Sequence, residues 1–312
     1  MRYTVRKEDA GGSLAAFLSA RFPYHTPEEW TRLAAEGAVR LNDAPPEPGR
    51  VLAEGDLIQY FPAESAEPVS DLAVTVLYED RDIILVNKTG DLPAHPAGRY
   101  FKNTLWMVLR ERLNVPEPSI INRLDRETSG VTLVARNARA ALACWRQFAA
   151  RSVQKKYTVF TEGVFERAEI ARGYIAPAAA SAIRKKRQFE PSAALQPEPG
   201  REAQWAETLF TPVKSLKGFS VLEAIPHTGR THQIRATLLA LGRPVVGDKM
   251  YGLDENIFLR LVEDRMTPED AVKMRLARQA LHASELNFLH PADGRPMKVR
   301  APLPADMQAL LG

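Results

Sequence analysis

With Cys144 as its one cysteine in 312 residues, the chain has no partner for an internal disulfide and no thiolate set for a structural metal site, which suits a reducing compartment. Long apolar runs are missing too. The opening "MRYTVRKEDAGGSLAAFL" places charged residues on both sides of a short apolar patch, and nothing approaches the run of about eighteen residues that a membrane helix requires. Neither export nor membrane insertion is expected, and a cytoplasmic protein is the simplest expectation. No G-x-x-x-x-G-K-[ST] or G-x-G-x-x-G occurs, so nucleotide cofactor sites of those kinds have no support, and no G-x-S-x-G marks a nucleophilic serine. Repeats at a solenoid period are absent. Strong charge is absent as well: a net +4 and a pI near 9.1 lean only weakly towards nucleic acid.

The chain does have length enough for one large domain, or a small one joined to a large one. Residues 13 to 61 form a compact unit. "SLAAFLSARF" carries apolar positions at helical spacing, and "PEEWTRLAAEG" gives a second short helix stopped by Gly37. "AVRLNDAPPEPGRVLAEGDLIQYF" predicts strand, proline-rich turn and strand. "PAESAEPVSD" has linker composition, so the expected division is 1–62, a linker at 63–72, and 73–312.

Beyond the linker, strands are expected at "AVTVLYED", "DIILVNK", "GVTLVAR", "KKYTVFTEGVF", "GFSVLEAIP", "ASELNFL" and "RPMKVRAPL". Helices are expected at "TLWMVLRERL", at "ARAALACWRQFAAR" with Asn137 as N-cap, and at "THQIRATLLALG" ended by Gly242. A charged helical insertion covers 254–278, and the Ala- and Pro-rich segment 175–200 is expected to be irregular. Strands joined by turns with helices grouped between them predict an α+β fold on a mainly antiparallel sheet.

The stretch "INRLDRETSG" sets Asp125 between Arg123 and Arg126. A carboxylate near guanidinium groups stays ionised, which makes a base or nucleophile of it; a solvated surface turn explains the same residues. Carboxylate chemistry usually needs an acid and a base, and no second candidate stands at a helpful spacing. Tyr157, after two lysines at a strand start, can stack on a planar ring, although strands favour aromatics anyway. In "PHTGRTHQIR" Gly229 permits a tight turn, so that backbone N–H groups, Arg230 and Arg235 could converge on an anion. His227 and His232, five apart without a carboxylate helper, fall short of the four ligands of a structural zinc site, so no metal is expected. "RKKR" at 184–187 is either a solvated loop or a phosphate contact. His95 and His282 suit packing or the surface better than catalysis, and Cys144 suits the core.

Together, "ILVNKTGDLPAHP", "INRLDRETSGVTLVAR", "KKYTVF", "PHTGRTHQIRATLLALGRPVVGDKMYG" and "LHASELNFLHPADG" resemble the RluA family of RNA pseudouridine synthases across about residues 73 to 305. "EGAVRLND" and "EGDLIQYF" are similar to a small RNA-binding module of the ribosomal-protein S-four type. The resemblance implies a pseudouridine synthase fold, with a central, mainly antiparallel mixed sheet flanked by helices, behind a small α/β RNA-binding domain. It implies a cofactor-free isomerase that detaches uracil from its sugar and rejoins it through C5. Nothing leaves the site and no water is added, so one aspartate suffices where a glycosidase needs two.

By that resemblance Asp125 is the catalytic aspartate, acting on the sugar as nucleophile or base. Arg235 is its basic partner, and Tyr157 the active-site tyrosine. Leu281 lines the uracil pocket, Arg123 fills the space left by a flipped nucleotide, and Arg230 and Asn122 belong to the substrate-binding set. Asn122 stands where the family usually has His, a change that bears on target selection because Asn cannot titrate near neutrality. The expected partner is structured RNA, ribosomal before transfer RNA, bound by a monomer. A non-catalytic RNA-binding or ribosome-assembly protein of the same fold is the alternative; a retaining glycosidase or nucleoside hydrolase lacks its second carboxylate.

Overall fold

The computed structural model describes residues 2–22, 25–61, 67–196, 203–216 and 218–312. The chain divides between Pro68 and Val69 into two compact units. Residues 62–66 of the linker-like stretch lie outside the described residues.

In the first unit, β1 (Arg2–Thr4), β2 (Val39–Leu41) and β3 (Leu57–Tyr60) form an antiparallel sheet in the order β1-β3-β2. Two helices cover it, α1 (Leu14–Arg21) and α2 (Pro27–Ala35). Ser13 caps α1; α2 starts with Pro27 behind a capping box in which Thr26 and Glu29 satisfy each other's backbone N–H. Gly37, at φ +79°, takes the left-handed turn that ends α2. Leu18, Trp30, Val39, Leu52 and Ile58 fill a core of its own.

The second unit is built on β4 (Thr75–Glu79), β5 (Ile83–Lys88), β6 (Ser119–Ile120), β7 (Ser129–Ala135), β8 (Gln154–Glu162), β9 (Glu169–Pro177), β10 (Arg187–Pro191), β11 (Gln204–Leu216), β12 (Phe219–Pro226), β13 (Leu281–Leu289) and β14 (Pro296–Arg300). These make one mixed sheet in the order β10-β9-β11-β12-β8-β13-β7-β5-β4, with β14 on β13 and β6 on β7. Among the described residues every pairing is antiparallel except β13 with β7. The helices are α3 (Leu105–Glu111), α4 (Ala138–Ala149), α5 (Gln233–Ala240), α6 (Asn256–Val262), α7 (Pro268–Met274) and α8 (Ala305–Gln308).

The apolar run "IILV" of β5 is buried on both faces: Ile84 and Val86 join the cluster containing Leu105 and Leu109 of α3, and Ile83 and Leu85 join the one containing Ala140 and Cys144 of α4. Further along, Ile234, Ala236 and Leu238 of α5 cluster with Val159, Phe210 and Leu222 of the sheet. The charged insertion is helical, as expected. Some of its charges pair within it, Arg260 donating to both Asp270 oxygens at 2.8 and 2.5 Å, and others tie it to the sheet and the last helix, Glu255 to Lys186, Arg275 to Glu162 and Arg278 to Asp306.

Segment 175–196 is irregular only in part, at 178–186 and 192–196; 197–200 lies outside the described residues. Ile175 to Pro177 complete β9, which turns back into β10 with Phe189 opposite Ile175. Tyr174, Ile175 and Phe189 are buried, a sparse apolar alternation that the surrounding Ala and Pro hid. The thirteen-residue strand β11 was also not foreseen from the sequence.

Candidate active site

Asp125 sits on the loop that enters β7, Leu281 on the neighbouring strand β13, and Tyr157 on β8, on the far side of β13. This meeting point depends on Gly130. At φ +116° it lies where an added Cβ would stand 2.2 Å from the Ala283 carbonyl oxygen, so only glycine lets β7 run against β13 there. The loop itself is held from below. Lys88 is fully buried and donates to the carbonyls of Thr89, Leu92 and Arg126 at 2.7, 2.9 and 2.9 Å, using all three ammonium protons.

Asp125 opens into a cleft of about 520 Å³ and is the only acid among the described residues lining it. Arg235, on α5, reaches it with Nη1 at 2.8 Å from Oδ2. The same guanidinium donates Nε and Nη2 to Asp248 at 2.6 and 2.9 Å and lies over the Tyr251 ring at 4.7 Å. Asp248 is buried and also accepts the Met250 and Tyr251 N–H groups at 3.0 and 2.9 Å. Burial works against the charge on Asp125, but Arg235 and then His232 outweigh it and hold the carboxyl below its ordinary value.

The cation that keeps Asp125 ionised is therefore not one of its sequence neighbours. Arg126 pairs with Glu127 at 2.7 Å and hydrogen-bonds Tyr100; Arg123 is exposed on the cleft wall without an ion pair or hydrogen bond among the described residues. The expected convergence of Arg230 and Arg235 on one anion is also revised. Arg235 is committed to two carboxylates, whereas Arg230 donates Nε to the Trp205 carbonyl at 2.9 Å and keeps its outer nitrogens for the cleft.

Tyr157 and Leu281 both line the cleft. Burial, and then the Asp125 charge, push the Tyr157 hydroxyl above its ordinary value, so it is neutral in the resting site. Asn122 lines the cleft too, but its amide is occupied: Nδ2 donates to the Val131 carbonyl at 3.0 Å and Oδ1 accepts the Leu133 N–H at 2.7 Å. It acts as an extra backbone unit on the edge of β7.

Sequence reasoning missed Asp248, Tyr251 and the place of His232. Tyr251 Oη accepts the Arg187 N–H at 2.7 Å and lies 2.9 Å from His232 Nδ1. His232 Nε2 faces Asp125 Oδ1 at 3.8 Å, and burial pushes the ring's pKa down to about 4. His232 is also left-handed, at φ +57°, where α5 begins. A signal existed in "GDKMYG", whose closely spaced Asp and Tyr serve the Arg of "HQIR". His227 instead pairs with Glu207 at 2.8 Å, so the two histidines serve different partners. His282 is packed, with Nδ1 2.9 Å from Ser129 Oγ, and Cys144 is buried. His95 lines the cleft.

Residues 82–240 match the family described as RNA pseudouridylate synthase. The chain is 31% identical over 315 residues to ribosomal large subunit pseudouridine synthase D of Xylella fastidiosa, covering 99% of this chain and 90% of that protein. It is 32% identical over 327 residues to the protein of the same name from Neisseria meningitidis, covering 99% and 80%. Human RNA pseudouridylate synthase domain containing 1 has a similar structure, with 30% identity and a TM-score of 0.58 over 76% of this chain and 86% of that one. A sheet that brings one ionised aspartate, an arginine and a tyrosine to one cleft thus agrees with matches that run nearly the whole length of the chain: it belongs to the RluA-type RNA pseudouridine synthases and is an isomerase that converts uridine in RNA to pseudouridine.

Proposed function

We propose that the enzyme modifies ribosomal RNA of the large subunit, and that Asp125, Tyr157 and Arg235 carry the reaction. The observation behind the catalytic reading is that the cleft holds one acid, kept ionised by an arginine that is itself fixed from behind by Asp248. A hydrolase would want a second carboxylate for water. An isomerase does not: the N1–C1′ bond breaks, the detached uracil turns within the cleft, C5–C1′ forms, and the proton on C5 is lost while N1 gains one. Asp125 acts at the sugar as nucleophile or base. Leu281 and the Tyr157 ring hold the uracil, and the exposed Arg123 takes the place of the nucleotide drawn out of its stack. Arg230 binds RNA, and Asn122 shapes the wall beside it. No cofactor is needed.

The ribosomal target rests on the names of the Xylella and Neisseria relatives. The first unit, residues 1–62 followed by a linker at 63–72, is read as an S-four-type RNA-binding module that adds phosphate contacts to those of the 73–312 catalytic domain. A monomer working in the cytoplasm completes the reading. Among the described residues no helix is long and apolar enough to cross a membrane.

Pseudouridine mapping of total RNA from cells lacking the protein, complemented with wild type or Asp125→Asn, tests this. A large-subunit site that vanishes on deletion and returns only with wild type is expected. A site in transfer RNA would overturn the target, and restoration by Asp125→Asn would overturn the role of the aspartate. With purified protein, Tyr157→Phe keeps RNA binding and lowers turnover by about a hundredfold or more if the hydroxyl takes part in proton transfer.

A further inference from the structure

Three cations beside the cleft have no acid to answer them. Lys155, on β8, is half-buried; its Nζ donates to the Thr228 carbonyl at 3.1 Å and lies over Gly229, 3.5 Å from where a Cβ would stand. Arg230, also half-buried, is fixed through Nε to the Trp205 carbonyl at 2.9 Å. Arg151 is exposed just after α4 and lines an adjoining hollow of about 410 Å³ that shares Pro226 and Thr228 with the cleft. None of the three makes an ion pair among the described residues. The nearest acid in that hollow, Glu207, is already paired with Arg172 and His227 at 3.1 and 2.8 Å.

The arrangement is also rigid. Gln233 locks the turn that carries Gly229 and Arg230, accepting from Thr228 Oγ1 at 2.8 Å and from the Arg230 N–H at 3.0 Å while donating to Thr208 Oγ1 at 2.8 Å. Arg151 holds a left-handed backbone at φ +57° where it closes α4, its own N–H on the Phe148 carbonyl and the Ser152 N–H on the Gln147 carbonyl, both at 3.1 Å, so the point from which its side chain leaves the helix is fixed. Burial, and then the charges of Arg151 and Arg230, push the Lys155 pKa down to about 8. Such crowding of like charge is unfavourable in the free protein and is relieved by an anion.

We propose that Lys155, Arg230 and Arg151 form a subsite for the backbone phosphates of the RNA strand on one side of the flipped uridine. Anchored cations with open donors suit phosphodiester oxygens, and the path from the cleft to the adjoining hollow gives the strand its direction of exit. The proposal rests on the RNA-modifying activity already assigned, and concerns how that site holds its substrate.

Salt titration of a fluorescein-labelled oligouridylate against the full-length protein tests it, using wild type, Lys155→Met, Lys155→Arg and Arg151→Gln. Each lost phosphate contact lowers the slope of log K against log salt by about 0.7 on single-stranded RNA. Lys155→Met and Arg151→Gln are each expected to lose that amount and to bind about tenfold more weakly at low salt, while Lys155→Arg restores the slope. Single-turnover pseudouridine formation on large-subunit RNA at saturating protein is expected to stay at the wild-type rate. Unchanged slopes in variants with wild-type melting temperatures would overturn the subsite, even with wild-type activity intact. So would a fall in the saturated rate without a change in binding, since the residues would then act on the chemistry or its framework. Arg151 is exposed, so its variant reports on binding even if Lys155→Met fails to fold.

Discussion

Arg235 meets Asp125 with one nitrogen, Nη1, and gives Nε and Nη2 to Asp248. The split sets the geometry of the site: the buried pair determines where the guanidinium points, and the single remaining contact determines where the cleft carboxylate stands.

Asp248→Asn breaks that buried pair without touching the cleft. It leaves Arg235 short of a counter-charge in an enclosed position, at a stability cost of about 3–5 kcal/mol. Urea denaturation is the measurement, and a cost below 1 kcal/mol, roughly the worth of a surface ion pair, would contradict the structural reading.

The pH dependence of kcat separates Arg235 from the rest. Asp125 is held below its ordinary value, so it stays ionised and active as pH falls, and the acid limb of the wild-type profile is expected below about pH 4. His232, already pushed down to about 4, adds no limb near neutrality. In Arg235→Met burial acts on Asp125 with its main opposing charge gone, its pKa rises, and the acid limb moves to higher pH. A wild-type limb near pH 6, or one that does not move in the variant, would tell against this assignment.

Gly130→Ala tests the strand junction. A methyl group 2.2 Å from the Ala283 oxygen, on a backbone at φ +116°, cannot be accommodated without moving β7 or β13. A loss of about 3 kcal/mol or more, or failure to fold, is expected in thermal melts.

Asn122→Ala removes two hydrogen bonds to β7 and leaves the Val131 carbonyl and the Leu133 N–H unanswered. The expected cost is about 1–3 kcal/mol of stability. RNA target preference is expected to stay the same in transcriptome-wide mapping, because the amide is turned to the protein.

The local elements were readable because their signals are local. Thr26 with Glu29, Asn137 as a cap, Gly37 and Gly242 as stops, and the apolar run of β5 each announce themselves within a few residues. β10 and β11 were not: β10 offers a single buried apolar residue, Phe189, Ala, Pro and Thr dilute the alternation of β11, and only pairing with β9 and β12 gives either meaning. The site followed the same division. Asp125, Tyr157 and Arg235 are legible through their motifs, and the family resemblance gives Arg235 as the partner of Asp125; local spacing alone points instead to Arg123 and Arg126, its neighbours in sequence. The cation that matters lies 110 residues away and depends on a carboxylate 13 residues further on. The supporting roles of Asp248 and Tyr251 are not legible in "GDKMYG" by itself, because a supporting side chain is recognised only from what it touches.

The one parallel pairing among the described residues, His282 against Ser129, bears on synthesis as well as architecture. It joins positions 153 apart, with their side chains 2.9 Å from one another, and Leu281 begins the same strand. Contacts of such long range form late. Because β13 is the strand that joins β7 to β8, a nascent chain carries both Asp125 and Tyr157 well before it can bring them to one cleft, and the capacity to isomerise waits until Leu281 and the rest of β13 have been made.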